Sequence, residues 1–168
     1  MSPGVYLMEL YFLRHGKAQE LGDAGVTDDF GRALTEKGIA EMEAEAKAMD
    51  RIGIRLELIL TSPLVRAKET ATIVARRLGL KDQLFETDLL APGCSVSRLQ
   101  KLLGEYPKAE NVMLVGHEPD FSSIVGELIG GAHLEVKKGG FAAIICNRPL
   151  VKGCGILKWL APPKILIS

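Results

Sequence analysis

Three apolar runs divide this chain, and each ends on residues that carry chemistry. The first, residues 6–13, stops abruptly at Arg14-His15-Gly16. The second, residues 56–60, leads into Thr61-Ser62-Pro63, with Arg66 shortly after. The third, residues 111–115, leads into Gly116-His117-Glu118-Pro119. Short apolar runs bounded by turn residues read as buried strands. Between them the period changes. Residues 16–34 are polar and glycine-bearing, hence loop, and Thr35 reads as the N-cap of a helix over 36–50. That helix carries Ile39, Met42, Ala46 and Met49 at spacings of three and four. A second helix is predicted over 63–78, with Pro63 in its first turn and Gly79 closing it; Ala67, Ala71, Val74, Ala75 and Leu78 form its packing face. Residues 85–88 read as a short strand before the Pro92-Gly93 turn, 96–103 as a short helix, 112–115 as a strand and 119–129 as a helix. The remainder, around 135–136, 141–146 and 155–160, reads as strands joined by turns, with 140–160 supplying a pair of core strands. Alternating strand and helix predict an α/β layer architecture with a largely parallel sheet and an antiparallel edge.

Composition narrows the function classes. At 168 residues the chain has the size of one domain, 1–168, and can bury roughly two-thirds of its unfolded surface. Lys plus Arg equals Asp plus Glu at 21 each, so no broad field favours nucleic acid or an anionic membrane. Any positive potential is local. No window approaches the roughly 18 to 20 uninterrupted apolar residues of a membrane helix, and the start lacks the basic region of a signal peptide. Cys94, Cys146 and Cys154 are odd in number, widely spaced and without a metal-ligand pattern or a C-x5-R loop, which predicts reduced thiols in a cytoplasmic protein and no metal.

The strand ends then become informative. Desolvating an unpaired guanidinium costs several kcal/mol, so Arg14 at the end of a buried run calls for an anion. In open α/β sheets ligands bind beyond the carboxyl ends of the strands. Arg14 with His15, Arg66 and His117 at corresponding ends of one sheet make a pocket for a tetrahedral dianion. Arg66, in a helix's first turn, opposes the helix dipole unless an anion binds at the same terminus.

The segments LRHGKA, LTEKG, TSPLVRAKETA and VGHEPDFS resemble the signature segments of the histidine phosphatase superfamily, also called phosphoglycerate-mutase-like. The short length and the ending Leu157-Lys158-Trp159-Leu160-Ala161-Pro162-Pro163 are most similar to its SixA-type phosphohistidine phosphatases, and the similarity runs over about residues 7–166. The resemblance implies a three-layer α/β/α fold and a phosphatase that needs neither metal nor nucleotide cofactor. In this reading His15 is the nucleophile, since a neutral imidazole nitrogen can carry a phosphoryl group when a fixed acceptor, commonly a backbone carbonyl, holds the other ring proton. Arg14 and Arg66 clamp the phosphoryl oxygens and His117 donates to one of them.

Other positions stay open. Mutase and acid phosphatase members use a carboxylate after the second helix, which here corresponds to Asp88 or Glu86; a phosphohistidine leaving group, protonated on its own ring, needs that acid less. Arg32 is expected either at the pocket rim or solvated. Ser62 offers a hydroxyl to substrate or caps the following helix, and Gly16 is a further candidate for substrate binding. His133, Lys137 and Lys138 read as turn or surface residues. The shortness of the chain predicts an open site suited to a phosphorylated protein, such as a phosphotransfer domain or carrier. A phosphomonoesterase acting on a small metabolite and a catalytically silent phosphate- or partner-binding module are the alternatives.

Overall fold

The computed structural model describes residues 7–168. The expected start of the first strand at Tyr6, and residues 1–6 of the start read for a signal peptide, lie outside the described residues. Six strands form one sheet: β1 (Leu7–Arg14), β2 (Leu58–Thr61), β3 (Leu84–Glu86), β4 (Asn111–Gly116), β5 (Phe141–Asn147) and β6 (Gly155–Ala161). Their order is β3-β2-β4-β1-β5-β6. The first four are mutually parallel, β5 runs against β1, and β6 against β5, so β5 alone is reversed.

The helices are α1 (Glu36–Arg51), α2 (Val65–Leu78), α3 (Val96–Gly104), α4 (Asp120–Leu128) and the short α5 (Pro163–Leu166). Thr35 caps α1, its hydroxyl accepting the Gly38 N–H at 3.0 Å, and α2 ends at Gly79 in the left-handed region at φ 72°. Strand alternation sorts the core into two layers. Met8, Leu10 and Phe12 of β1 face α3 and α4, where Phe12 meets Phe121 edge-on at 5.3 Å. Tyr11 and Leu13 face the side of α1, α2 and α5.

Four local expectations change. Residues 135–136 form no strand, although Val136 is fully buried. Helix α2 starts at Val65 rather than at residue 63, and α5 has no periodic signal in so short a segment. Ile39 is exposed, because α1 turns its Met42, Glu45, Ala46 and Met49 side inward. The pair of core strands is half right: β5 is buried, but β6 is the sheet's outer strand, with Ile156 and Leu160 exposed.

The register aligns the strand ends. Arg14 pairs with Gly116 across β1 and β4, Thr61 with Val115 across β2 and β4, and Glu86 with Thr61 across β3 and β2. The His15 N–H continues the ladder to the Gly116 carbonyl, and the Ser62 N–H to that of Val115. The chemistry-bearing residues therefore leave the sheet at one edge, side by side.

Candidate active site

His15 and His117 emerge from adjacent parallel strands with ring centres 5.3 Å apart, and both are buried. The His15 Nδ1–H donates to the Gly16 carbonyl at 2.8 Å, which leaves Nε2 as the lone-pair nitrogen. Arg66 Nε donates to that Nε2 at 3.2 Å. The rest of the Arg66 fork is held by Asp29, through its backbone carbonyl at 2.7 Å and its carboxylate at 3.1 Å. Thr70, one turn along α2, accepts the Gly16 N–H at 3.1 Å and donates to the Arg66 carbonyl at 2.7 Å. Helix α2 and the loop that follows His15 are thus tied together. Arg14 donates through Nη1 to the Val136 carbonyl at 3.0 Å, and its buried Nε has no partner. His117 Nε2 lies 2.7 Å from the Ser62 hydroxyl, while its buried Nδ1 has no partner.

These surroundings set the charges. Burial lowers the His15 pKa to about 3; the Gly16 carbonyl opposes this by favouring the protonated ring, and Arg66, His117 and Arg14 add to the lowering. Burial likewise lowers His117 to about 4, with Arg66 and Arg14 acting with it and Asp29 against it. Both imidazoles are neutral at pH 7. Burial raises the Asp29 carboxyl, but hydrogen bonds from Arg32 and Arg66 outweigh it and hold the group below the usual carboxylate range. Two guanidiniums beside two neutral imidazoles, with an N–H of Arg14 and a ring nitrogen of His117 unpartnered, are chemically suited to an anion. A surface cleft of about 450 Å³ lies elsewhere, lined by Ser122, Ser123, His133 and Lys152 among others.

The sequence profile of the histidine phosphatase superfamily (branch 1) matches residues 10–90, a stretch that contains Arg14, His15 and Arg66. The chain belongs to the histidine phosphatase superfamily. It is 37% identical over 143 residues to an uncharacterized protein of Picosynechococcus sp., covering 82% of this chain and 84% of that one. Its fold is similar to that of the protein histidine phosphatase SixA complexed with tungstate, at a TM-score of 0.79 and 25% identity over 94% of this chain and 98% of that chain. The alpha-ribazole phosphatase from Shigella flexneri shares the fold alone, at a TM-score of 0.68 and 21% identity over 93% of this chain and 97% of that one.

Within this superfamily site the other candidates fall in several places. Gly16 is committed through both backbone polar groups, to Thr70 and to His15. A Cβ there would come within 2.7 Å of Met42. Ser62 does not cap α2, whose N-cap position is Leu64; its hydroxyl accepts the Leu64 N–H at 3.3 Å and faces His117. Arg32 is neither free at the rim nor solvated: it holds Asp29 at 2.9 Å, the Gln19 carbonyl and Glu20. Asp88 and Glu86 follow or end β3, both exposed, and Glu86 pairs with Lys68 at 2.9 Å. Neither hydrogen-bonds Arg14, His15, Arg66 or His117. His133 and Lys137 are exposed, whereas Lys138 is half-buried. Asp29 lies outside the four signature-like segments, and Thr70 lies inside TSPLVRAKETA, one turn after Arg66, where the sequence assigns it no role. Among the described residues no three His, Cys, Asp or Glu side chains converge as a metal site, and no helix is long and apolar enough to cross a membrane.

Proposed function

We propose that this protein is a phosphatase that works through a phospho-His15 intermediate, with phosphohistidine on a protein as its substrate. The observation that carries the reading is the His15 ring, held by Gly16 with Nε2 unprotonated and facing Arg66. In the first step Nε2 attacks phosphorus, the P–N bond to the substrate ring breaks, and that ring leaves with its proton. In the second, water attacks phospho-His15, the P–Nε2 bond breaks, and inorganic phosphate departs with His15 restored. Arg14 and Arg66 neutralise the equatorial oxygens throughout. The Ser62 hydroxyl accepts from Leu64 N–H and so has its own proton to give His117 Nε2. In the tautomer that takes that proton, His117 carries its own on Nδ1, the nitrogen without a protein partner, where it serves a phosphoryl oxygen.

The choice of substrate rests on the leaving group. An ester's alkoxide needs an acid, and the two carboxylates near the end of β3 are exposed, one of them already paired with Lys68. A protonated imidazole leaves without help. The likeness to SixA, described as a protein histidine phosphatase, supports the same substrate class. The free thiols of Cys94, Cys146 and Cys154 suit a reducing compartment, and we assign the enzyme to the cytoplasm, active without a metal. The test is phosphate release in EDTA by the wild-type protein and His15→Ala, comparing a histidine-phosphorylated carrier protein with p-nitrophenyl phosphate and phosphoglycerate. Fast, His15-dependent release from the carrier alone is expected. Preference for an ester would move the function to metabolite hydrolysis, and release from none would leave a phosphate-binding module.

A further inference from the structure

Arg14 reaches into the site from the end of β1, yet its guanidinium is held at the back by a segment with no regular structure. Residues 132–138 make neither helix nor strand, and Val136 within them is fully buried. Two sets of bonds fix this strap. At its far end the Gly139 N–H donates to the carbonyls of Arg14 and His15, both at 3.1 Å, and the Arg14 N–H donates to the Gly140 carbonyl. At its near end the Val136 carbonyl accepts Arg14 Nη1 at 3.0 Å, while the Val136 N–H donates to the Ser122 hydroxyl at 3.2 Å. The Ser122 hydroxyl in turn donates to Glu118, whose other carboxylate oxygen accepts the Ser122 N–H at 3.0 Å.

We propose that Ser122, anchored by Glu118, is a positioning residue for the anion site: its hydroxyl fixes Val136, and the Val136 carbonyl aims Arg14 so that its unpartnered Nε faces the phosphoryl group. The catalytic part of this inference rests on the phosphatase reading above; the mechanical part does not. Val136 is gripped on both of its peptide planes, its N–H by Ser122 and its carbonyl by Arg14, so losing the Ser122 bond frees one plane and loosens the Cα from which the other is aimed. Chain order explains why Ser122 can do this. It sits one turn into α4, whose N-terminus follows His117, so one short helix serves both ends of the site.

The competing explanation is local. Pro119 offers no side-chain cap, and Glu118 accepting the Ser122 N–H does that duty for α4. Ser122→Ala separates the two, because it keeps the backbone N–H that Glu118 caps and removes only the hydroxyl that holds Val136. Ser122→Thr keeps the hydroxyl.

The experiment has two arms. In the first, tungstate affinity is measured by titration calorimetry for wild type, Ser122→Ala, Ser122→Thr, Arg14→Ala and the Arg14→Ala/Ser122→Ala double variant. Ser122→Ala is expected to bind about tenfold more weakly, Ser122→Thr to stay near wild type, and the double variant to match Arg14→Ala. In the second, exchange of the Arg14 Nε–H with water is followed by NMR. It is expected to be slow in wild type and at least tenfold faster in Ser122→Ala, with thermal unfolding of the variant remaining cooperative. Unchanged exchange in Ser122→Ala overturns the proposal, as does the same loss of affinity with and without Arg14. A wild type that binds no tungstate refutes the phosphatase reading, and the exchange arm still decides the relay.

Discussion

Glu45 lies on the inward side of α1, 1% exposed, with its Oε2 lacking any hydrogen-bond partner. Its carboxyl occupies the space beside Gly139 that a side chain would fill: a Cβ built there would lie 2.6 and 2.8 Å from the two carboxyl oxygens. Gly139, at φ 80°, is the residue whose N–H binds the Arg14 and His15 carbonyls. Burial first, then repulsion from Glu41, raise the Glu45 pKa from 4.5 to about 8, with Lys17 pulling the other way. The folded protein therefore holds a proton that the unfolded chain has released above its ordinary value. Stability is full below pH 4.5 and is lost as pH rises through about 8. Between pH 6 and pH 9 the loss covers about two pH units, at roughly 1.4 kcal/mol each, or about 3 kcal/mol. Glu45→Gln keeps the shape and removes the titration. Urea unfolding of both proteins at pH 6 and pH 9 is the assay. With a denaturant slope of about 2 kcal/mol per molar, the wild-type midpoint should fall by roughly 1.5 M more than the variant's. Midpoints that fall in parallel would refute the reasoning, because they would show that Glu45 does not titrate between those values in the folded state.

Other consequences are independent of that group. Because the pKa of His15 is lowered to about 3, kcat/KM for a phosphohistidine protein should hold between pH 7 and pH 5, where an ordinary imidazole nucleophile would lose more than tenfold; a fall with a midpoint near 6.5 counts against the depressed pKa. Gly38→Ala should destabilise, although alanine normally improves a helix by about 1 kcal/mol, because its Cβ would come 2.1 Å from the Lys17 carbonyl oxygen; a raised melting temperature contradicts the packing. Asp29→Ala should raise KM for the phosphohistidine protein and weaken tungstate binding about tenfold by releasing Arg66 Nη2 from the carboxylate, the backbone carbonyl still holding Nη1, while Asp29→Asn, which keeps a side-chain acceptor, should lose less; equal effects would place the role in charge alone.

The convergence of the candidate site's main side chains is legible in the sequence, for a physical reason. A parallel strand buried on both faces is an apolar run, so the residue that ends it stands out, and the loops beyond the carboxyl ends of such strands are where ligands bind. Arg14, His15, Arg66 and His117 announce themselves in this way. What holds them in place does not. Asp29 and Thr70 are ordinary polar residues, meaningful only once Arg66 and Gly16 lie beside them. Val136 acts through its backbone carbonyl, which leaves no mark on its identity. Glu45 sits on the packing side of α1 between Met42 and Met49, and period alone does not tell a buried carboxyl from a solvated one. The apolar stretch of β6 is equally silent about exposure. Nothing in its composition says that it lies outermost, with an irregular pairing opposite Ala143 and Ile144 leaving Lys158 to reach Glu9 at 2.8 Å.

The central claim is covalent, and a rapid-quench experiment addresses it directly. The wild-type protein is mixed with a carrier protein labelled with ³²P on histidine, stopped in alkali within milliseconds, and digested for peptide mapping. The account predicts an acid-labile, alkali-stable phosphoryl group on the peptide carrying His15, formed and consumed at rates that match turnover and absent in His15→Ala. Turnover without label on that peptide, or turnover that survives His15→Ala, would contradict it.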